Sequence, residues 1–472
     1  METLLAIVQK LNAYLSDYIL IILLIGTGLF FTIKTRFVQV RCFGEGMKAV
    51  FGNIKLRGGK QESGLSSFQA LATAIAAQVG TGNIVGASGA ILVGGPGAIF
   101  WMWIIAFLGM ATIYAEAVLA QETRVKDENG EVHGGPVYYI KKAFPNGFGT
   151  FLSVFFAVAI ILALGFMGSM VQSNSIAESC NTAFGIPGWV IGAIVAIISA
   201  IIFIGGIQRI ASVTEKLVPI MAVLFLVGGL VVLCVRIQYL PETFGMIFKY
   251  AFTPSALIGG GIGYALKTAI SQGAKRGLFS NEAGMGSTPH AHAMANVKKP
   301  HDQGVVAMVG VFIDTFVVLT MTALVVISCL FAGEGGLGAL SPDAYLAATS
   351  GADAIVSKTN AMQTAFTTAL PFLGSFGNIF VAVCLLFFAF STILSWNFFG
   401  KLNVQYLCKN NKTFTIIYSV IAIVFIFLGS LLSNDLVWEL TDFFNYLMVL
   451  PNAIALIALY KIVVNASKSN KD

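Results

Sequence analysis

Residues 66–90 read SSFQALATAIAAQVGTGNIVGASGA. The stretch is long enough to cross a bilayer, since about 20 mainly apolar residues span the hydrocarbon. Yet Gly80, Gly82 and Gly86 crowd its middle beside Gln78, Thr81 and Asn83. Glycine inside a helix costs about 1 kcal/mol relative to alanine. Unwound backbone at membrane depth persists only where it lines a cavity or is buried in protein. Two readings follow. The glycines either let helices pack closely, Gly82 and Gly86 being one turn apart, or they interrupt the helix. In the second case freed carbonyls can hold a cation and freed N–H groups a carboxylate.

The rest of the chain makes lipid its solvent. Of 472 residues, 57% are apolar and 11% charged, against about 25% charged in an ordinary soluble domain. Surface-to-volume scaling leaves too few polar residues to coat a soluble fold. That excludes a soluble enzyme, a disordered scaffold or a nucleic-acid-binding domain as the main body. Six cysteines are scattered without a CxxC pair and read as small buried hydrophobes, with neither a disulfide framework nor a metal site.

Apolar runs near 15–34, 65–93, 96–121, 149–172, 187–205, 213–235, 258–296, 304–331, 372–400, 413–432 and 437–463 predict about eleven transmembrane helices. The alternating strands of a β-barrel are missing. The run 258–296 is too long for one crossing and has to bend or break. Residues 1–17 contain Glu2 and Lys10 and lack a cleavage-site pattern, so the first run reads as an uncleaved span. Lys34, Arg36, Arg41, Lys48, Lys55, Arg57 and Lys60 fill the loop after it, which makes that loop cytoplasmic. Alternate connections then hold most of the other basic residues, with Lys275 and Arg276 counted among them. The expected N-terminus is outside and the C-terminus, with Lys468 and Lys471, inside. Residues 36–55 mix basic side chains with Phe43 and Phe51, as a segment lying along the cytoplasmic interface would.

Five spans after the first interruption comes GAKRGLFSNEAGMGSTPHAHA, residues 273–293. Gly277, Gly284 and Gly286 again surround polar side chains, which predicts a second break over 277–287. Paired interruptions in corresponding places of two halves point to a transporter's binding site. The spacing predicts an all-α fold of two inverted five-helix repeats, 65–235 and 236–463. A peripheral first helix and interfacial segment, 1–64, would precede them and a cytoplasmic tail, 464–472, would follow. A third polar cluster, Ser391, Thr392, Ser395 and Trp396, interrupts the ninth span. Its hydroxyls either bond the preceding helical turn or supply hard oxygen ligands to an alkali cation.

The strings QVGTGNIVG, GLFSNEAGMGSTPHAHA, MVQSNSIA, FAFSTILSW and HGGPVYYI closely resemble the alanine or glycine:cation symporter family, over nearly the whole chain. The resemblance implies a LeuT-like five-plus-five fold and sodium-coupled transport of alanine or glycine, with no organic cofactor. Val79-Gly80-Thr81-Gly82-Asn83 also looks like the first broken helix of neurotransmitter-type sodium transporters. Carried over residue by residue, sodium would take the carbonyls of Ala76, Val79 and Phe388 and the hydroxyls of Ser391 and Thr392. The substrate carboxylate would face the N–H groups of Gly80 to Gly82, among Gln78, Thr81 and Asn83. Gln172 would reach the amino acid and Trp396 would wall off its side chain. Phe279, Asn281 and Met285 would come from the second break.

Asp314, in the middle of the eighth span, is the intramembrane carboxylate most suited to a role. It would hold a cation, carry a proton, or pair structurally with Lys267 or Arg276. Glu116 reads as a gate or packing partner, and Glu439 with Asp442 as a solvated mouth. His290 and His292 fall in or near a cytoplasmic region, at a spacing that does not share one helix face. The chain lacks a P-loop, HExxH and a clustered Ser/His/Asp set, so neither an ATP-driven pump nor an intramembrane enzyme is indicated. The competing readings are a proton-coupled carrier, a carrier of broader range that takes glutamine, and an ion channel.

Overall fold

The computed structural model describes residues 2–52, 64–127, 130–258, 262–350 and 354–468. In chain order its main helices begin with α1 (Thr3–Lys34), α2 (Phe43–Phe51), α3 (Ser67–Gln78), α4 (Gly82–Gly94) and α5 (Ala98–Thr123). A short antiparallel hairpin, β1 (Val125–Lys126) and β2 (Val132–His133), follows. Then come α6 (Gly147–Phe184), α7 (Gly188–Ile204), α8 (Gly206–Val235), α9 (Ile262–Asn281) and α10 (Pro289–Ala293). The last four are α11 (Pro300–Phe331), α12 (Phe376–Leu407), α13 (Lys412–Gly429) and α14 (Asn434–Ala458). Among the described residues, 8 helices are long and apolar enough to cross a membrane, or up to 9 with α3 and α4 taken as one bent span. The shorter α7 is equally apolar. The expected apolar runs fall on these helices, with one exception. The run 258–296 falls in its described part on α9 and α10, which are not among the helices long and apolar enough to cross, so the count of eleven is not reached among the described residues. Several are longer than expected, most of all α1, which begins at Thr3, and α6, which reaches Phe184.

The first interruption is real. A capping box starts α3: Ser66 Oγ accepts from the Gln69 N–H, and Gln69 Oε1 accepts from the Ser66 N–H, both at 3.1 Å. The helix stops at Gln78, where Val79 turns extended (ψ 90°), and α4 leaves at 44° to α3. This bend opens main-chain groups in the middle of the bundle rather than at its ends. Helices α8 and α12 pack on α3, while α5 packs against α9 and α11.

The second interruption lies later than expected. Helix α9 continues through Gly277 to Asn281, so 277–281 are helical and only the turn after Asn281 breaks. Gly277 is a packing glycine, beside Ile105 of α5. The glycines that break the chain are Gly284 (φ +93°) and Gly286 (φ +79°), with Glu282 itself left-handed at φ +58°. Glu116 of α5 holds this turn, accepting from the N–H groups of Gly284 (3.2 Å) and Gly286 (2.9 Å). From α14, Asn452 Nδ2 donates to Glu116 (2.6 Å) and to the Gly284 carbonyl (2.9 Å). The packing role expected of Glu116 therefore has a definite form: its carboxylate replaces the helical partners that the break removed.

The interfacial segment is amphipathic along α2, which buries Gly46 and Val50 against the start of α11. Lys55, Arg57 and Lys60, and Lys471 of the tail, lie outside the described residues.

Candidate substrate and cation site

Both breaks meet at the centre of the bundle. A Cβ on Gly82 would come within 3.0 Å of the Phe279 ring and 3.1 Å of Ser280 Cα. A Cβ on Gly80 would overlap the Thr392 hydroxyl and press on Gln172 Oε1 at 3.1 Å. Glycine at these two positions is what lets α6, α9 and α12 close around the first break.

Four oxygens converge on one side of that break, with the Ser391 hydroxyl on the adjoining turn of α12. The Thr392 hydroxyl lies 2.8 Å from the Ala76 carbonyl, 3.4 Å from that of Val79 and 3.1 Å from that of Phe388. Ser391 Oγ lies 2.9 Å from the Phe388 carbonyl. Of the five residues expected to ligate sodium, Thr392 thus meets Ala76, Val79 and Phe388, whereas the Ser391 hydroxyl bonds its own helical turn and faces Met221 Sδ at 3.5 Å; all five are fully or almost fully buried. The set is neutral and all-oxygen, suited to a hard cation of low charge.

Beside it lie the residues expected from the sequence to meet the substrate. The Gly80 N–H donates to Asn83 Oδ1 (2.9 Å) and the Thr81 N–H to Gln172 Oε1 (3.1 Å). These two amide oxygens occupy the donors that a substrate carboxylate would use. Gln172 Nε2, Thr81 Oγ1 and Gln78 Oε1 are buried with no hydrogen-bond partner, a costly condition that a polar ligand relieves. Gln78 Nε2 donates to the Asn281 carbonyl (2.8 Å), and Asn281 Nδ2 to Thr315 Oγ1 (3.3 Å). Phe279 meets Trp396 edge-on at 5.6 Å. Met285, fully buried, belongs to the second turn, its N–H bonding the Glu282 carbonyl (3.1 Å).

Asp314 ties the breaks to each other. Its carboxylate accepts from Asn83 Nδ2 (2.6 Å), Ser280 Oγ (2.9 Å) and Thr315 Oγ1 (2.8 Å). The ion pair expected with Lys267 or Arg276 does not form, because both cations are engaged elsewhere. Lys267 pairs with Asp17 (3.0 Å), and Arg276 with Asp442 (2.8 Å). Asp442 is accordingly no solvated mouth residue, being only 3% exposed. Arg276 and Lys275 belong to helix α9 and not to a basic loop. The Arg276 guanidinium also stacks over Trp438 at 4.7 Å, and Trp438 packs on Phe279 at 4.6 Å. This stack closes the site towards a cavity of about 260 Å³ lined by Gly86, Arg276, Trp438 and Glu439. A second cavity, about 450 Å³, opens beyond the opposite end of the break and is lined by Leu65, Met294, Phe398 and Lys401.

Sequence reasoning missed Glu282 as a site residue. It accepts from the Trp396 indole N–H and from the Ser287 hydroxyl, so it fixes the ring that borders the substrate space. A carboxylate between two glycine-flanked turns in SNEAGMGS was the available signal. His290 and His292 are likewise buried, bonded to Asn403 and Gln303 at 2.8 Å each, rather than in a loop.

A lipid-embedded helical bundle with two interrupted helices meeting at a buried polar centre defines a secondary transporter of the LeuT-like class. The chain belongs to the sodium:alanine symporter family, whose sequence profile matches residues 1–472. It is 39% identical over 467 residues to the sodium/alanine symporter AgcS of Methanococcus maripaludis, covering 98% of this chain and 96% of that one. It is 37% identical over 462 residues to the probable sodium/glutamine symporter GlnT of Bacillus subtilis, covering 98% and 90%. In fold it is similar to the solved structure of MhsT in complex with L-phenylalanine, with a TM-score of 0.59 at 15% identity over 87% of this chain and 97% of that one.

Proposed function

We propose that the protein couples sodium entry to the symport of a small neutral amino acid, alanine or glycine, by alternating access. The observation that carries this reading is the oxygen cluster of Ala76, Val79, Phe388 and Thr392, with Ser391 next to it on α12, lying beside the Gln172-capped N–H of Thr81. A zwitterion is costly to dehydrate, so both of its ends need replacement partners. The freed N–H groups at the start of α4 serve the carboxylate. Gln172 and the Asn281 region offer acceptors to the ammonium. Sodium next to the carboxylate makes the two binding events favour each other reciprocally. Phe279 and Trp396 limit the side chain by bulk, and GlnT, as a similar protein named for glutamine, makes that limit worth measuring.

Asp314 supplies the coupling charge in this reading. Its hydrogen-bond partners, Asn83, Ser280 and Thr315, are neutral and come from the first break, the last turn of α9 before the second break, and its own helix, so its ionisation or its pairing with a cation is felt on both sides. The repeats 65–235 and 236–463, inverted with respect to each other, would rock about this centre to expose each cavity in turn. The lysine and arginine bias supports an outside N-terminus and a cytoplasmic C-terminus.

The test is uptake of labelled alanine into liposomes holding the purified protein. An inward sodium gradient should drive accumulation. Equal uptake with potassium replacing sodium at fixed pH would overturn the cation assignment, and current without added amino acid would indicate a channel.

A further inference from the structure

Cys42, Glu45 and His301 meet where the interfacial helix α2 lies against the start of α11. Each offers one ligand atom, and the three atoms lie within 4.8 Å of one another. Cys42 immediately precedes α2, and Glu45 follows at a spacing that shares its face. His301 is the second residue of α11. His301 Nε2 stands 3.3 Å from Glu45 Oε2. That is long for a hydrogen bond, yet it is the separation of two ligands on a tetrahedral ion with bonds of about 2.0 Å.

The other ring nitrogen, Nδ1, is 2.7 Å from the Tyr114 hydroxyl of α5. This contact fixes the ring so that Nε2 points at Glu45, as outer partners do in metal sites. Cys42 and His301 are buried at 5% and 1% exposure, whereas the Glu45 side chain is 39% exposed and leaves a way in. The frame is stiff as well. A Cβ on Gly46 would meet the Val305 carbonyl at 2.6 Å, and Phe43 meets Phe312 edge-on at 4.9 Å.

We propose that Cys42, Glu45 and His301 form a binding site for a divalent transition-metal ion of the zinc class, which staples α2 to α11. A thiolate, an imidazole and a carboxylate are a borderline-soft set that suits zinc, with water in the fourth position. Binding exchanges the S–H bond of Cys42 for a sulfur–metal bond, and the proton leaves to water. Scattered cysteines gave no such site in the sequence, because His301 comes from a distant part of the chain.

The full-length protein, purified under reducing conditions, should be titrated with cobalt(II) as the probe and zinc(II) as the competitor. One equivalent of cobalt should give a thiolate-to-cobalt charge-transfer band that zinc abolishes. Cys42→Ser, which replaces one atom, should eliminate the band while the melting temperature without metal stays near that of the wild type. Tyr114→Phe should keep the band and weaken cobalt binding about 10- to 100-fold. His133→Gln, in the separate cluster of Asp127, Glu131 and His133, should change nothing. A wild type without the band, a band that survives Cys42→Ser, or one lost with His133→Gln overturns the assignment.

Discussion

The Thr392 hydroxyl on α12 lies 2.8 Å from the Ala76 carbonyl on α3, joining the middle of one helix to the open end of another. The contact exists because α3 stops two residues later, at Gln78. In a continuous helix the Ala76 carbonyl would be taken by an N–H one turn on. Removing the hydroxyl should therefore affect the cation before the amino acid. Thr392→Ala is expected to raise the half-saturating sodium concentration for alanine uptake about tenfold or more, some 1.4 kcal/mol. Ser391→Ala should move it in the same direction. Superimposable sodium curves for wild type and Thr392→Ala would refute the ligand role.

Gly80 is enclosed by Thr392 and Gln172. Gly80→Ala forces one of them aside, an overpacking cost of about 1–3 kcal/mol. Uptake should fall about tenfold or more while the purified protein still melts cooperatively. Normal uptake by Gly80→Ala would show that the packing at this break is looser than the distances require.

Phe279 stands between Trp396 and Trp438. If the ring sets the size limit, Phe279→Ala admits longer side chains. A methylene is discriminated by about 1–3 kcal/mol in an apolar pocket, so the ratio of glutamine or leucine uptake to alanine uptake should rise tenfold or more. Competition assays against labelled alanine measure this directly, and an unchanged ratio would move the limit to another residue.

Arg276 and Asp442 form a two-pronged ion pair, 2.8 and 3.2 Å, with side-chain exposures of 14% and 4%. Asp442→Asn leaves a buried guanidinium without its counter-charge, which typically costs about 3–5 kcal/mol. The double variant Arg276→Met with Asp442→Leu should recover most of that loss. A double-mutant cycle on thermal stability reads the coupling, and additive losses would mean that the pair contributes nothing jointly.

Much of the site was legible because glycine and small polar residues are rare and costly in the middle of an apolar span. The first break and the hydroxyl cluster of Ser391 and Thr392 follow from that, whereas Ala76, Val79, Phe388 and Gln172 come only from the family resemblance. The second break was placed too early because glycine does two jobs that look alike in a sequence. Gly277 sits inside a continuous helix with Ile105 at ordinary contact distance, whereas Gly284 and Gly286 supply positive φ. Glu282 was passed over for a related reason, since nothing in the string announces that Trp396 donates to it.

The sequence by itself determined that this is a helical membrane protein, where its apolar runs lie, and that glycines and polar side chains crowd the middle of one span at 78–86. Those features answer to the solvent, and lipid imposes its demands on each segment separately. Only the tertiary structure decided the partners. Asp314 bonds Asn83 and Ser280 instead of a basic residue, Arg276 turns to Asp442, and Glu116 with Asn452 holds the second turn. Such pairings join residues far apart in the chain. A buried charge or an unmet N–H is satisfied by whatever the folded bundle brings within hydrogen-bond reach, and local sequence carries no record of that.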